Sequence, residues 1–81
     1  MILLDLALPD MPGLEALVRL RERRPDVPVV VLSGTDDHDT VLGALGRGAM
    51  GFIPKSSTGS VLLHALRLVL AKGVYIPPSA L

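Results

Sequence analysis

Met1-Ile2-Leu3-Leu4 is apolar without a break, and a carboxylate, Asp5, follows at once. A strand with one wet face alternates apolar and polar residues. An uninterrupted run instead predicts a strand covered on both faces, as in a parallel sheet with helices on either side. An acid is tolerable in such a strand only at its open end, where water or a cation reaches it. Asp5 is therefore either a functional site or a strand terminator, since Asp also begins turns for purely local reasons. Pro9, Pro12 and Gly13 then exclude regular structure from the loop that follows.

From Leu14 the pattern changes period. Leu14, Leu17 and Val18 recur at helical spacing with Leu20 beside them, while Glu15, Arg19, Glu22 and Arg23 take the wet face. Pro25 stops this helix. Pro28 to Leu32 is β-branched at three positions and predicts a second strand, which ends in Ser33 and Gly34. Thr35, Asp36, Asp37, His38 and Asp39 open a second helix that carries Val41, Leu42, Ala44 and Leu45 to about Arg47. Acids at a helix start cap free N–H groups and complement the dipole, so capping is preferred here over metal binding.

Gly48 ends the second helix, and Ala49 to Ile53 predicts a third strand with Lys55 just past its end. Ser56, Ser57 and Thr58 can cap a last helix from about Gly59 to Lys72, apolar almost all round apart from a stripe of Ser60, His64 and Arg67. A helix with so wide an apolar surface needs cover on more than one side. Gly73 is expected to end it. Pro77-Pro78 then predicts an extended tail or linker over residues 73–81, outside a domain of residues 1–72.

The order strand, helix, strand, helix, strand, helix implies an α/β fold of parallel strands joined by right-handed crossovers. In such sheets ligands gather at the carboxyl ends of the strands, which here carry Asp5, Ser33 and Lys55. A carboxylate, a hydroxyl and an ammonium on one rim suit a phosphoryl acceptor: nucleophile, hydrogen-bond donor and charge-balancing cation.

Other chemistries fare worse. With 81 residues there is one thin-cored domain, and eight basic against eight acidic residues gives no reason to expect nucleic acid or an anionic membrane as partner. The chain has no cysteine, so there is no disulfide framework or thiolate metal site. Met1 to Leu8 lacks a basic leader and is too short for a signal peptide or membrane span, so a soluble, cytoplasmic protein is expected. Gly46-Arg47-Gly48-Ala49-Met50-Gly51 matches G-x-G-x-x-G but follows a helix and precedes a strand, the reverse of a dinucleotide site. No nucleophile elbow surrounds Ser33, so Ser33, His38 and Asp39 do not suggest a hydrolase triad. His38 and His64 lack a third ligand and read as solvated, as do Arg19, Arg21, Arg23 and Arg24 at the end of the first helix.

These residues resemble the receiver domain of two-component response regulators, particularly the NarL/LuxR type, over Met1 to about Lys72. ILLDLALPDMPGLEAL looks like the segment around the phospho-acceptor strand, VVVLSG like the switch strand, and GAMGFIPKS like the segment carrying the phosphate-binding lysine. GVYIPPSAL is similar to the start of the linker to a helix-turn-helix domain. The resemblance implies a partial flavodoxin-like fold. Asp5 would accept a phosphoryl group from a sensor histidine kinase, Ser33 would hydrogen-bond it, and Lys55 would pair with it. Phe52 would be the aromatic whose burial changes as the switch strand moves. The backbone carbonyl of Ala7 would help Asp5 hold Mg2+, and the helix from Asp37 to Arg47 with the strand from Ala49 to Ile53 would form the output face.

Two departures carry expectations. The family's two strands and two helices ahead of the acceptor strand are absent here, and with them an acidic pair that ligates Mg2+. Metal binding is thus expected to be weak or absent and the chain alone a poor phospho-acceptor. The family also usually places a proline after the lysine, whereas here Pro54 precedes Lys55 and Ser56 follows it. Without its first strand, Met1 to Asp5 becomes an apolar edge, and without its first helix the last helix keeps surplus apolar surface. Self-association into homo-oligomers is expected, and a phosphate-independent interaction module is the alternative function.

Overall fold

The computed structural model of the chain describes residues 1–7 and 12–80. Three parallel strands, β1 (Ile2–Asp5), β2 (Val29–Ser33) and β3 (Gly51–Pro54), lie in the order β1-β2-β3. Helices α1 (Gly13–Arg23) and α2 (His38–Gly46) connect them, and α3 (Gly59–Leu70) follows β3. The predicted α/β architecture of three strands and three helices is the one observed.

Pleating sends alternate side chains into two cores. On one face Leu4, Val29, Val31 and Phe52 meet Leu17 of α1 with Val41 and Ala44 of α2. On the other, Val30 and Ile53 meet Ala65 and Val69 of α3. Helical cover on both faces is what permits the unalternating run of β2. β1 is covered on one face only: Leu4 is buried, but Leu3 is 47% exposed. The surplus on the last helix also remains, with Val61, Leu63 and Leu70 turned outward.

Helix ends account for most boundary differences. Asp37 caps α2, its Oδ1 accepting from Thr40 N at 3.0 Å, so capping is the role this acid plays. At the other end Gly48 has φ +99°, its N–H donates to Leu45 O, and Ala49 N–H donates to Ala44 O. These paired bonds form a Schellman motif, which spends the Ala49 amide on the helix. β3 therefore starts at Gly51, two residues later than predicted, and runs through Pro54.

Helix α3, capped by Thr58, stops at Leu70 rather than Lys72. Here too the turn is of Schellman type, with Lys72 N–H on Val69 O and Gly73 N–H on Leu68 O. Lys72 itself holds the left-handed position, at φ 69°. Gly73 serves a different need from the predicted one: a Cβ there would lie 2.6 Å from Leu68 Cδ1.

The stretch predicted as an extended tail is instead folded onto the sheet. Tyr75 bridges Gly51 in parallel, with Tyr75 N–H donating to Met50 O and Phe52 N–H to Tyr75 O, each at 3.1 Å. Pro77 is fully buried, and Ala80, in a 3-10 turn (Pro78–Ala80), joins the Phe52 core. Val74-Tyr75-Ile76 is a short β-prone triplet that can continue a ladder, and the prolines fix the turn after it.

Candidate functional site

Strand pairing builds the site. Asp5 lies opposite Leu32, and Ser33 opposite Pro54, so Asp5, Ser33 and Lys55 come to one rim at the carboxyl ends of three adjacent strands. The ladder continues past the strands: Leu6 N–H donates to Leu32 O at 3.0 Å and Lys55 N–H to Ser33 O at 2.7 Å. These bonds fix the backbone just past Asp5 and at Ser33 and Lys55.

The Asp5 carboxylate is held at both oxygens. Lys55 Nζ lies 2.7 Å from Oδ2, and Ala7 N–H donates to Oδ1 at 2.8 Å. The Lys55 hydrogen bond first, and the Ala7 amide second, hold the carboxyl below its usual 3.8. It is ionised at neutral pH and half exposed, as a carboxylate nucleophile has to be.

Ser33 is brought to the rim but not to the carboxylate. In phase with Val29 and Val31, it belongs to the face of α1 and α2, is 4% exposed, and its Oγ accepts from Thr35 N at 3.2 Å. It borders a hollow of about 460 Å³ lined also by Leu6, Ala7, Leu14, Thr35 and Thr40. Phe52 lies within the core, fully buried. The site is thus an assembled Asp–Lys pair with a serine one strand away.

The described residues do not fit a resident Mg2+. That ion demands near-octahedral oxygen ligation, commonly one or two carboxylates with substrate phosphate and water. Among the described residues no group of three or more His, Cys, Asp or Glu could hold a metal. The carboxylate of Asp5 is already paired at one oxygen with an ammonium and at the other with the Ala7 N–H. Asp10 lies outside the described residues.

The remaining polar candidates have structural partners. His38 Nδ1 is 3.0 Å from Ala80 O, and Asp36 accepts a hydrogen bond from Ser79 Oγ. Arg21 is not solvated as expected: its guanidinium donates to Pro25 O and Val27 O and closes the turn before β2. The contacts of residues 75–80 with Asp36, His38 and β3 have one signal in the sequence, the β-prone triplet Val74-Tyr75-Ile76.

The model of the response regulator receiver domain matches residues 1–67. The chain belongs to the response regulator receiver family. Over 78 residues this receiver chain is 46% identical to the glycerol metabolism activator of Pseudomonas putida, covering 96% of the chain and 35% of that protein. It superposes on a LuxR family DNA-binding response regulator from Silicibacter pomeroyi with a TM-score of 0.84 at 41% identity, over 96% of this chain and 57% of that one. A response regulator from Burkholderia pseudomallei with a phosphorylated aspartic acid, calcium ion and citrate matches at 29% identity and a TM-score of 0.69, over 88% of this chain and 44% of that one. The chain thus spans about a third of its curated relative and covers part of the receiver domain. Its family is one of signalling modules in transcription regulators. Among the described residues no helix is long and apolar enough to cross a membrane.

Proposed function

We propose that this receiver segment takes a phosphoryl group onto Asp5 from a phosphohistidine of a sensor kinase. The P–N bond of the donor breaks as a P–O bond to the Asp5 carboxylate forms, the imidazole keeps the electron pair and gains a proton, and the product is an acyl phosphate. The observation that carries the reading is the 2.7 Å pair of Asp5 and Lys55, joined from strands that are not neighbours in the sheet. Lys55 keeps the nucleophile ionised and balances the charge of the product. Ser33 turns from Thr35 toward the transferred group, and Phe52 responds from the core beneath. The aspartyl phosphate in the Burkholderia relative supports the same chemistry. Because the described residues lack a Mg2+ site, the chain alone is a poor acceptor, and its setting is a cytoplasmic DNA-binding regulator in which this segment itself touches no nucleic acid.

The test is incubation with phosphoramidate, reduction of any acyl phosphate with borohydride, and peptide mass spectrometry. Conversion of a minor fraction of Asp5 to homoserine, abolished in Asp5→Asn, is expected. Equal conversion at another acid, or unchanged conversion in the variant, overturns the assignment.

The bare face of β1 favours a second reading, a phosphate-independent interaction module that self-associates through β1 or α3. Leu3 on that strand is 47% exposed, and Met1 just ahead of it 43%. Association that is identical in Asp5→Asn and the native chain belongs to this reading.

A further inference from the structure

The loop between β2 and α2 joins two things that the sequence keeps far apart. At its start, Ser33 Oγ accepts from Thr35 N, and Thr35 Oγ1 accepts from Asp37 N at 3.4 Å. At its end, Asp36 accepts from Ser79 Oγ, and His38 Nδ1 lies 3.0 Å from Ala80 O. Two sets of hydrogen bonds therefore meet on one short stretch of backbone, one tying Thr35 to the serine on the rim and the other tying Asp36 and His38 to residues more than forty positions later. The segment so reached is itself seated, by the two Tyr75 bonds to β3 and by burial of Pro77 and Ala80.

We propose that residues 75–80 form a latch, held closed by Asp36 and His38 and loosened when Ser33 leaves Thr35. The proposal deepens the acceptor reading above and rests on it for the event that moves Ser33. A phosphoryl group on Asp5 draws the Ser33 hydroxyl away and the Thr35 amide loses its acceptor. The loop carrying Asp36 then shifts, and with it His38 at the start of α2, so Ser79 and Ala80 lose their partners. Ala80 shares its core with Phe52, whose N–H is bonded to Tyr75 O, so loosening is felt along β3 as well. The device transmits the state of the rim to whatever follows the segment, through a few weak contacts that are individually easy to break.

The latch has built-in reporters. Tyr75 is the chain's single tyrosine and there is no tryptophan, so intrinsic fluorescence reads this segment directly. The amides of Tyr75 and Phe52 are protected by the latch bonds, whereas those of Leu6 and Met50 are protected by β2 through Leu32 O and Val29 O. The experiment is native-state amide exchange by NMR on the full chain, with acrylamide quenching of Tyr75, in Asp36→Ala, His38→Ala and Ser33→Ala. Exchange of Tyr75 and Phe52 about fivefold faster in all three, with Leu6 and Met50 unchanged, is expected from losing one hydrogen bond. Unchanged Tyr75 and Phe52 in Asp36→Ala and His38→Ala overturns the latch, as does equal acceleration at all four amides, which marks general loosening. A latch that opens in those variants but not in Ser33→Ala overturns its link to the rim. None of these results depends on phosphorylation, so failure of the acceptor reading shows separately, in the borohydride experiment.

Discussion

The two edges of this small sheet are finished in opposite ways. Along β3 the chain folds back on itself: Tyr75 takes two backbone hydrogen bonds, and Pro77 and Ala80 close over the core. Along β1 nothing described lies beyond the strand, which pairs on one side with β2, and Met1 and Leu3 are left 43% and 47% exposed. Both edges are apolar in sequence, so hydrophobicity does not distinguish them. What differs is whether a following segment can reach the edge. The residues after α3 return beside β3 within a few positions of the helix end, because the Schellman turn at Lys72 reverses the chain there. An uncovered apolar edge offers its unpaired backbone groups to another chain, and a covered one does not.

The contrast can be broken hardest at its buried side. Phe52→Ala, on the covered edge and fully buried, should cost about 3–5 kcal/mol in urea unfolding, whereas Leu3→Ala on the open edge should stay within about 0.5 kcal/mol. Comparable losses at the two would mean that β1 is covered in solution. Next in size, Lys72→Gly removes the left-handed strain of the turn that sends the tail to β3 and should add up to about 1 kcal/mol, read as a rise in the unfolding midpoint. A midpoint that falls would show that the lysine side chain contributes more than its backbone costs.

Leu3→Lys should leave stability nearly unchanged while lowering the mass found by light scattering at high concentration, because a charge on the open strand opposes edge pairing. Invariant mass would place any association elsewhere, on the outward residues of α3 or on the exposed Leu42, Val74 and Ile76. The smallest effect is electrostatic. Asp5 has its pKa depressed in the folded chain, so its contribution is complete above the usual 3.8 and is lost as pH falls through the lower folded value. Native protein should therefore lose more stability than Lys55→Met over that acid range, and the two should run parallel from about pH 5 to 7. A difference that grows toward neutral pH would contradict the Asp5–Lys55 pair.

Much of this was readable before any coordinates. The Val29 to Val31 run, the acids ahead of α2 and the proline stops gave each element its type and rough limits. The order of strands then placed Asp5, Ser33 and Lys55 on one rim, because parallel crossovers leave little choice of direction. Less was legible where a backbone amide had two possible partners. Ala49 reads as a strand residue yet gives its N–H to Ala44, and Val74 to Ala80 reads as a linker yet finds β3 and α2. Arg21 looks like one of four surface arginines and is spent on two backbone carbonyls. Each of these depends on what lies across space, on which periodicity is silent.

The sequence by itself determined the alternation of strands and helices and the chemistry available at the strand ends, since both follow from local pattern and from the fixed geometry of parallel pairing. Only the tertiary structure decided that Lys55 reaches Asp5 while Ser33 holds Thr35, and that the last residues close one edge of the sheet and leave the other bare. Those outcomes turn on ångström-scale competition among partners for the same donors and acceptors, and such competition is settled only when the elements pack.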